Sequence, residues 1–207
     1  MNIRIHRPVF ILVSLLILLT ATVAIISIFW PRYEDRFFEI GLFGEEKTAD
    51  NYFINSNSLI EINSQLNWYT YIHNHMGKPQ EVVIKVKLLN STMDLPNDQN
   101  HIASSMPPII SIPFSLEIDE TLIHPFFWSI SKTILQNDSF SIKSLTINNQ
   151  LIQVDVLGSS KSNFCLVFEL WVYDQNSSEY TFGWNTGEKL SSASVYMFFN
   201  ISLPLVV

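Results

Sequence analysis

The sequence predicts an all-β domain, an immunoglobulin-like antiparallel β-sandwich, preceded by a single N-terminal transmembrane α-helix. Three observations carry this. Pro8 to Trp30 is an uninterrupted apolar run with no charged residue. Beyond it, short segments of period-two alternation recur between clusters of Asn, Asp, Gly, Pro and Ser. No apolar stripe of helical period is sustained after residue 30.

The apolar run comes first. As a helix it spans about 34 Å, against a hydrocarbon core of about 30 Å. Lipid offers no partner to a free N–H or C=O, so the segment must be helical if it sits there. The preceding residues are short and basic, as in a secretory signal, but the run outlasts the usual h-region of about 7–15 residues. Thr22-Val23-Ala24 offers a small-residue cleavage site, and a cleaved signal peptide is the alternative to an uncleaved anchor. The expected organisation is therefore a cytoplasmic stub at 1–7, a signal anchor at 8–30 and an extracytoplasmic β-sandwich at 31–207. Trp30 and Tyr33 fall where an interfacial aromatic belt would place them. Arg4 and Arg7 with the amino terminus, set against Arg32 and Arg36, favour the N-terminus inside. Four N-x-[ST] sequons, at Asn90, Asn137, Asn176 and Asn200, are glycosylation candidates that agree with this orientation.

Within the domain, Leu66–Asn74 alternates Leu66, Trp68, Thr70 and Ile72 against Tyr69, Tyr71 and His73. Val82–Leu89 sets Val82, Ile84, Val86 and Leu88 on one face, with Lys85 and Lys87 on the other. Met76-Gly77-Lys78-Pro79 reads as the turn between them, with glycine free to adopt positive φ. Further strands are expected at 37–42, 59–63, 109–118, 140–147, 151–156, 164–173, 180–184 and 195–203. Asn148-Asn149-Gln150 is a tight turn, and Ser129–Leu135 a short second helix. Phe164–Tyr173 is apolar on both faces apart from Glu169, the pattern of a central strand covered on both sides. Asn90 to Pro108 is the longest irregular stretch, and a loop of this length is functional or mobile. Trp68, Trp128, Trp171, Trp184, Phe126 and Phe127 supply a core, with a subset available for a contact patch.

Charge narrows the function. All 19 acidic residues follow the apolar run, with 10 of the 12 basic ones, leaving the domain near −9. Such a surface excludes nucleic acid as a partner and offers no polybasic patch to anionic lipid. The lone Cys165 forbids an internal disulfide and sits in an apolar run as a small buried hydrophobe.

Catalytic patterns are missing. G-x-S-x-G, the P-loop, H-E-x-x-H and paired C-x-x-C are absent. Ser129-Ile130-Ser131-Lys132 matches S-x-x-K without the companion motifs of a serine acylase. No catalytic residue and no cofactor is expected, and the chain reads as a non-enzyme. Two weaker patterns concern metals. Asp94, Asn97, Asp98 and Asn100 crowd one loop but lack the glycine and closing glutamate of a Ca²⁺ loop. His73 and His75, two apart on a strand end with Met76 following, form a His-x-His and thioether set that suits copper.

Several segments carry a resemblance. Phe38-Glu39-Ile40-Gly41-Leu42-Phe43-Gly44, Ala49-Asp50-Asn51-Tyr52, Asn74-His75-Met76-Gly77, Phe168 to Glu188 and Tyr196 to Leu203 resemble the extracytoplasmic domain of an archaeal membrane-protein family of unknown function. The resemblance implies an immunoglobulin-like sandwich outside an archaeal membrane. It transfers no catalytic residue. Longer family members have several membrane helices before this domain, where this chain has one.

The expected function is a single-pass, membrane-anchored, extracytoplasmic β-sandwich acting as a non-catalytic binding or structural module. It would be an accessory to a neighbouring membrane or envelope protein and hold lipid through residues 8–30. The alternative is an extracytoplasmic copper-binding or delivery domain using His73, His75 and Met76.

Overall fold

The computed structural model describes residues 7–29, 36–54, 57–136, 139–158, 163–184 and 193–202. Asn137, Trp30, Tyr33, Arg32 and the stub before Arg7 lie outside the described residues. The chain divides into two compact units, Met1–Asp35 and Arg36–Val207.

The first unit holds one helix, α1, Arg7–Phe29. Its side chains are described over residues 11–23, and the large apolar ones there, Ile11 to Leu19 and Val23, are exposed. The Thr20 and Thr22 hydroxyls donate back to the carbonyls of Ile17 and Leu18, so neither needs an outside partner. No helix of the described residues is long and apolar enough to cross a membrane.

The second unit is a two-sheet β-sandwich. Its strands are β1 Phe38–Phe43, β2 Leu59–Ile60, β3 Leu66–Asn74, β4 Gln80–Asn90, β5 Ile110–Leu116, β6 Thr121–Gln136, β7 Ser139–Ile147, β8 Gln150–Leu157, β9 Phe164–Asp174, β10 Glu179–Phe182 and β11 Ser194–Ile201. The first sheet runs β1-β3-β6-β7-β8 and the second β2-β11-β9-β4-β5. β10 and β11 share one edge of β9, β11 along Phe164–Glu169 and β10 along Trp171–Asp174. Pairing β3 with β6 in one sheet, and β4, β9 and β11 in the other, matches the B·E and C·F·G arrangement of immunoglobulin-like sandwiches. All strand pairs are antiparallel except β2 with β11, which is parallel, so the expectation of a purely antiparallel sandwich is corrected there.

Alternation builds the core. The inward set of β3 meets Phe126, Trp128 and Ile130 of β6 and Phe164, Leu166, Phe168 and Leu170 of β9. Trp68 lies edge-on to Trp128 at 5.0 Å, and Phe126 edge-on to Phe168 at 4.8 Å, the geometry aromatic quadrupoles prefer. Asn148 and Asn149 both take positive φ, 45° and 67°, and turn β7 into β8 in two residues. Gly77 has φ 68° in the turn from β3 to β4.

The short helix expected at Ser129–Leu135 is instead the second half of β6. That strand pairs with β3 over Thr121–Trp128 and with β7 over Trp128–Gln136, with a bulge around Lys132. Pro125 fits inside it for a physical reason. Phe127 N–H donates to the Asn148 side chain, away from β3, so the nitrogen of Pro125, two residues earlier, also faces away from β3 at a level where β7 has not begun.

A second finding concerns the loop after β4. Rather than standing in solvent, it crosses the outer face of the second sheet. Met93, Leu95 and Met106 pack on Leu89, Cys165 and Val167. Lys87, read from the sequence as belonging to the non-core face of its strand, is 3% exposed beneath this cover.

Candidate functional site

The bare outer face of the first sheet carries the most chemically pointed cluster. In β3 the odd-numbered side chains point outward, and the β1 register sets Glu39 opposite His73. His75, just past the strand, is brought to the same face by its neighbour Asn74. Asn74 is wholly buried, and its amide donates to the carbonyls of Lys78, Leu116 and Glu117 while its Oδ1 accepts from Met76 N–H. This plug fixes the chain beyond β3. The His75 N–H also bonds to Phe37 O at 2.9 Å.

The rings then stack. Phe37 lies on His75 at 4.4 Å, and His75 on His73 at 3.8 Å with only 7° between the imidazole planes. Thr121 Oγ1 is 3.0 Å from His73 Nδ1. Tyr71 donates to Glu39 Oε2 at 2.8 Å. Burial, followed by the hydrogen bond to Glu39 and its charge, raises the Tyr71 phenol above its ordinary pKa. His75 Nε2 stands 3.4 Å from Glu39 Oε1, ion-pair distance for a protonated ring but without hydrogen-bond geometry. Both Nε2 atoms are shielded from solvent and find no hydrogen bond among the described residues. Glu39, His73 and His75 each offer a ligand atom within 4.8 Å of the other two.

The sequence-predicted trio is thus brought together only in part. His73 and His75 converge, whereas Met76 packs against the core and lines a separate cleft of about 550 Å³ with Gln80, Asp174 and Trp184. Glu39, Tyr71, Thr121 and Asn74 are the members that spacing did not single out. Alternation alone placed Tyr71 with His73, but Glu39 and Thr121 arrive from neighbouring strands whose register no local pattern encodes.

Another histidine and the other residues that the sequence marked sit apart. His124 faces inward, edge-on to Phe114 at 5.0 Å, and burial lowers its pKa. Asn97 caps a 3-10 turn at Asp98–Asn100, and Asp98 accepts from Ser194, so the acidic loop spends these groups on its own structure. Ser131 bonds Thr146 across two strands, with Lys132 at the bulge. Asn176 is exposed on the β9–β10 turn, whereas the Asn90 amide donates to Leu157 O at 2.7 Å. Cys165 is buried, and desolvation pushes its thiol up to about 12.

A second polar group lies inside the other face. Lys87 Nζ contacts Glu169 Oε2 at 2.8 Å and Ser104 O at 2.6 Å. Glu169 also accepts from Ser104 N–H and from Trp171 Nε1. Lys85 lies 3.3 Å over the Trp171 ring, a cation–π contact. Every member is partnered within the network, which marks it as a clamp for the loop.

No protein-family model matches the chain, and no curated protein matches it by sequence. Among solved structures, it is similar to a CARDB domain from Pyrococcus furiosus solved in complex with di-metal ions. That overlap has TM-score 0.39 and 8% identity, covering 82% of this chain and 91% of that one. The C-terminal domain of Wzt gives TM-score 0.37 at 7% identity, over 84% and 81%. A β-glucosidase from Listeria innocua gives 0.37 at 10%, over 80% of this chain and 16% of that enzyme. Overlaps this low carry no functional argument, and the sandwich stands on its own strand order.

Proposed function

We propose that this protein is a membrane-tethered, extracytoplasmic β-sandwich that works as a non-catalytic binding or structural module beside a membrane or envelope neighbour. One observation carries the reading. Helix α1 has no charged residue after Arg7 and no polar face, and its described large apolar side chains are all exposed. A helix apolar all round is one that other apolar matter surrounds. The acidic domain and the lack of a catalytic pattern support a module without chemistry of its own. The resemblance to an archaeal extracytoplasmic domain supports an envelope setting.

Extraction and protease access test this. The full chain should stay with membranes through an alkaline carbonate wash and lose its domain to protease added outside intact cells. Release by carbonate removes the tether, and protection of the domain reverses the orientation. Crosslinking in native membranes then identifies what the sandwich touches.

Copper binding or delivery is the second reading, favoured by the convergence of His73 and His75. It draws no support from Met76, which turns to the core.

A further inference from the structure

We propose that Glu39, His73 and His75 form a binding site for one divalent transition ion, Zn²⁺ or Cu²⁺, on the outer face of the first sheet. This deepens the second reading, because it keeps the imidazole pair but replaces the Met76 thioether with the Glu39 carboxylate.

Four features of the site point the same way. Two ring nitrogens are desolvated without a hydrogen bond among the described residues, an arrangement that costs free energy until something fills it. They lie beside a carboxylate, and a cation with borderline preferences takes that mixed set, whereas Ca²⁺ and Mg²⁺ seek oxygen alone. The outer atoms are already held: Thr121 occupies His73 Nδ1 and Tyr71 occupies Glu39 Oε2, which leaves Nε2 and Oε1 for the ion. Such outer partners orient metal ligands. Finally, Glu39 is half exposed, so a fourth position opens to water or to a partner's side chain.

Geometry sets one condition. Imidazole lone pairs lie in the ring plane, so two nearly parallel rings must tilt apart to aim at one ion. With metal–nitrogen bonds of about 2.0–2.1 Å, a tetrahedral centre asks for a nitrogen separation of about 3.4 Å. The ligand atoms already lie within 4.8 Å of one another, so side-chain rotation closes the site without moving a strand.

The test uses the full-length chain in detergent, stripped with chelator and carrying no histidine tag. Zn²⁺ and Cu²⁺ are titrated into wild type, His73→Ala, His75→Ala, Glu39→Gln, Thr121→Val and Met76→Leu, with near-UV circular dichroism as the folding check. Wild type is expected to bind one equivalent of ion. Each histidine variant should weaken binding more than tenfold, and Thr121→Val by about tenfold. The Cu²⁺ electron paramagnetic resonance spectrum should show two nitrogen ligands in wild type and one in either histidine variant. Met76→Leu should bind as wild type does. No binding of either ion by wild type overturns both the site and the copper reading, as does equal affinity in folded histidine variants. Unchanged affinity in Glu39→Gln with a loss in Met76→Leu overturns this ligand set alone and returns the thioether to it.

Discussion

The two outer faces of the sandwich begin from similar strand chemistry and end differently. On the second sheet the loop after β4 covers Leu89, Cys165 and Val167 and traps an ion pair between Lys87 and Glu169. On the first sheet nothing among the described residues plays that part, and Tyr71, His73 and Glu39 remain at the surface. One face has become a second, smaller core; the other leaves its imidazoles and carboxylate uncovered by any described segment. A face that is covered serves stability, and a face that is bare is free for binding. The alternation of a strand marks which side chains share a face, and a distant segment decides whether that face is wet.

The comparison can be broken most severely at Glu169. Glu169→Leu leaves Lys87 charged under the loop with only the Ser104 carbonyl, and should cost about 3–5 kcal/mol in chemical denaturation. Adding Lys87→Met to that variant should recover much of the loss, because a buried pair replaced by apolar groups is close to neutral. A double variant as unstable as the single one would mean that the carboxylate's bonds to Ser104 and Trp171, rather than the charge pair, hold the loop down.

A matched pair of substitutions sharpens the same contrast at smaller scale. Val167→Thr buries a hydroxyl under the loop and should cost about 1–3 kcal/mol. Leu151→Thr, on the open face of β8 where the side chain is 62% exposed, should change stability by less than about 0.5 kcal/mol. Equal effects at the two positions would show that the loop does not exclude water.

The gentlest probe is alkaline pH. Cys165 has its thiol raised from 9.0 to about 12 by desolvation. Between those values the unfolded chain releases a proton that the folded chain keeps, so stability should fall as pH rises above 9, by at most about 1.4 kcal/mol per pH unit. Melting curves from pH 7 to 10.5 should show that slope in wild type and a shallower one in Cys165→Ala, and a thiol reagent should label the wild type only after denaturation. Prompt labelling of the folded chain would place the thiol in solvent.

Much of this was legible in local pattern. The alternation of β3 and β4, the two-sided apolarity of β9, the Asn148-Asn149 turn and the burial of Cys165 all follow from short-range rules, and the structure agrees with each. β6 was not legible. Its Ser-Ile-Ser-Lys-Thr-Ile run, a proline four residues before it, has no local reason to be a strand, and becomes one because β7 supplies a ladder along it while β3 pairs only the half before it. For the candidate site, the spacing of His73 and His75 placed both imidazoles on one face, but their neighbours depended on register.

The chain by itself determined a charge-free apolar helix, an acidic β domain and a histidine pair that must point the same way, because composition and period act over a few residues. Only the tertiary structure decided that Glu39 rather than Met76 meets those imidazoles, and that Lys87 lies under a loop instead of in water. Both depend on strand pairing and loop docking between segments distant in sequence, where the partner's position, not the residue's own pattern, sets the outcome.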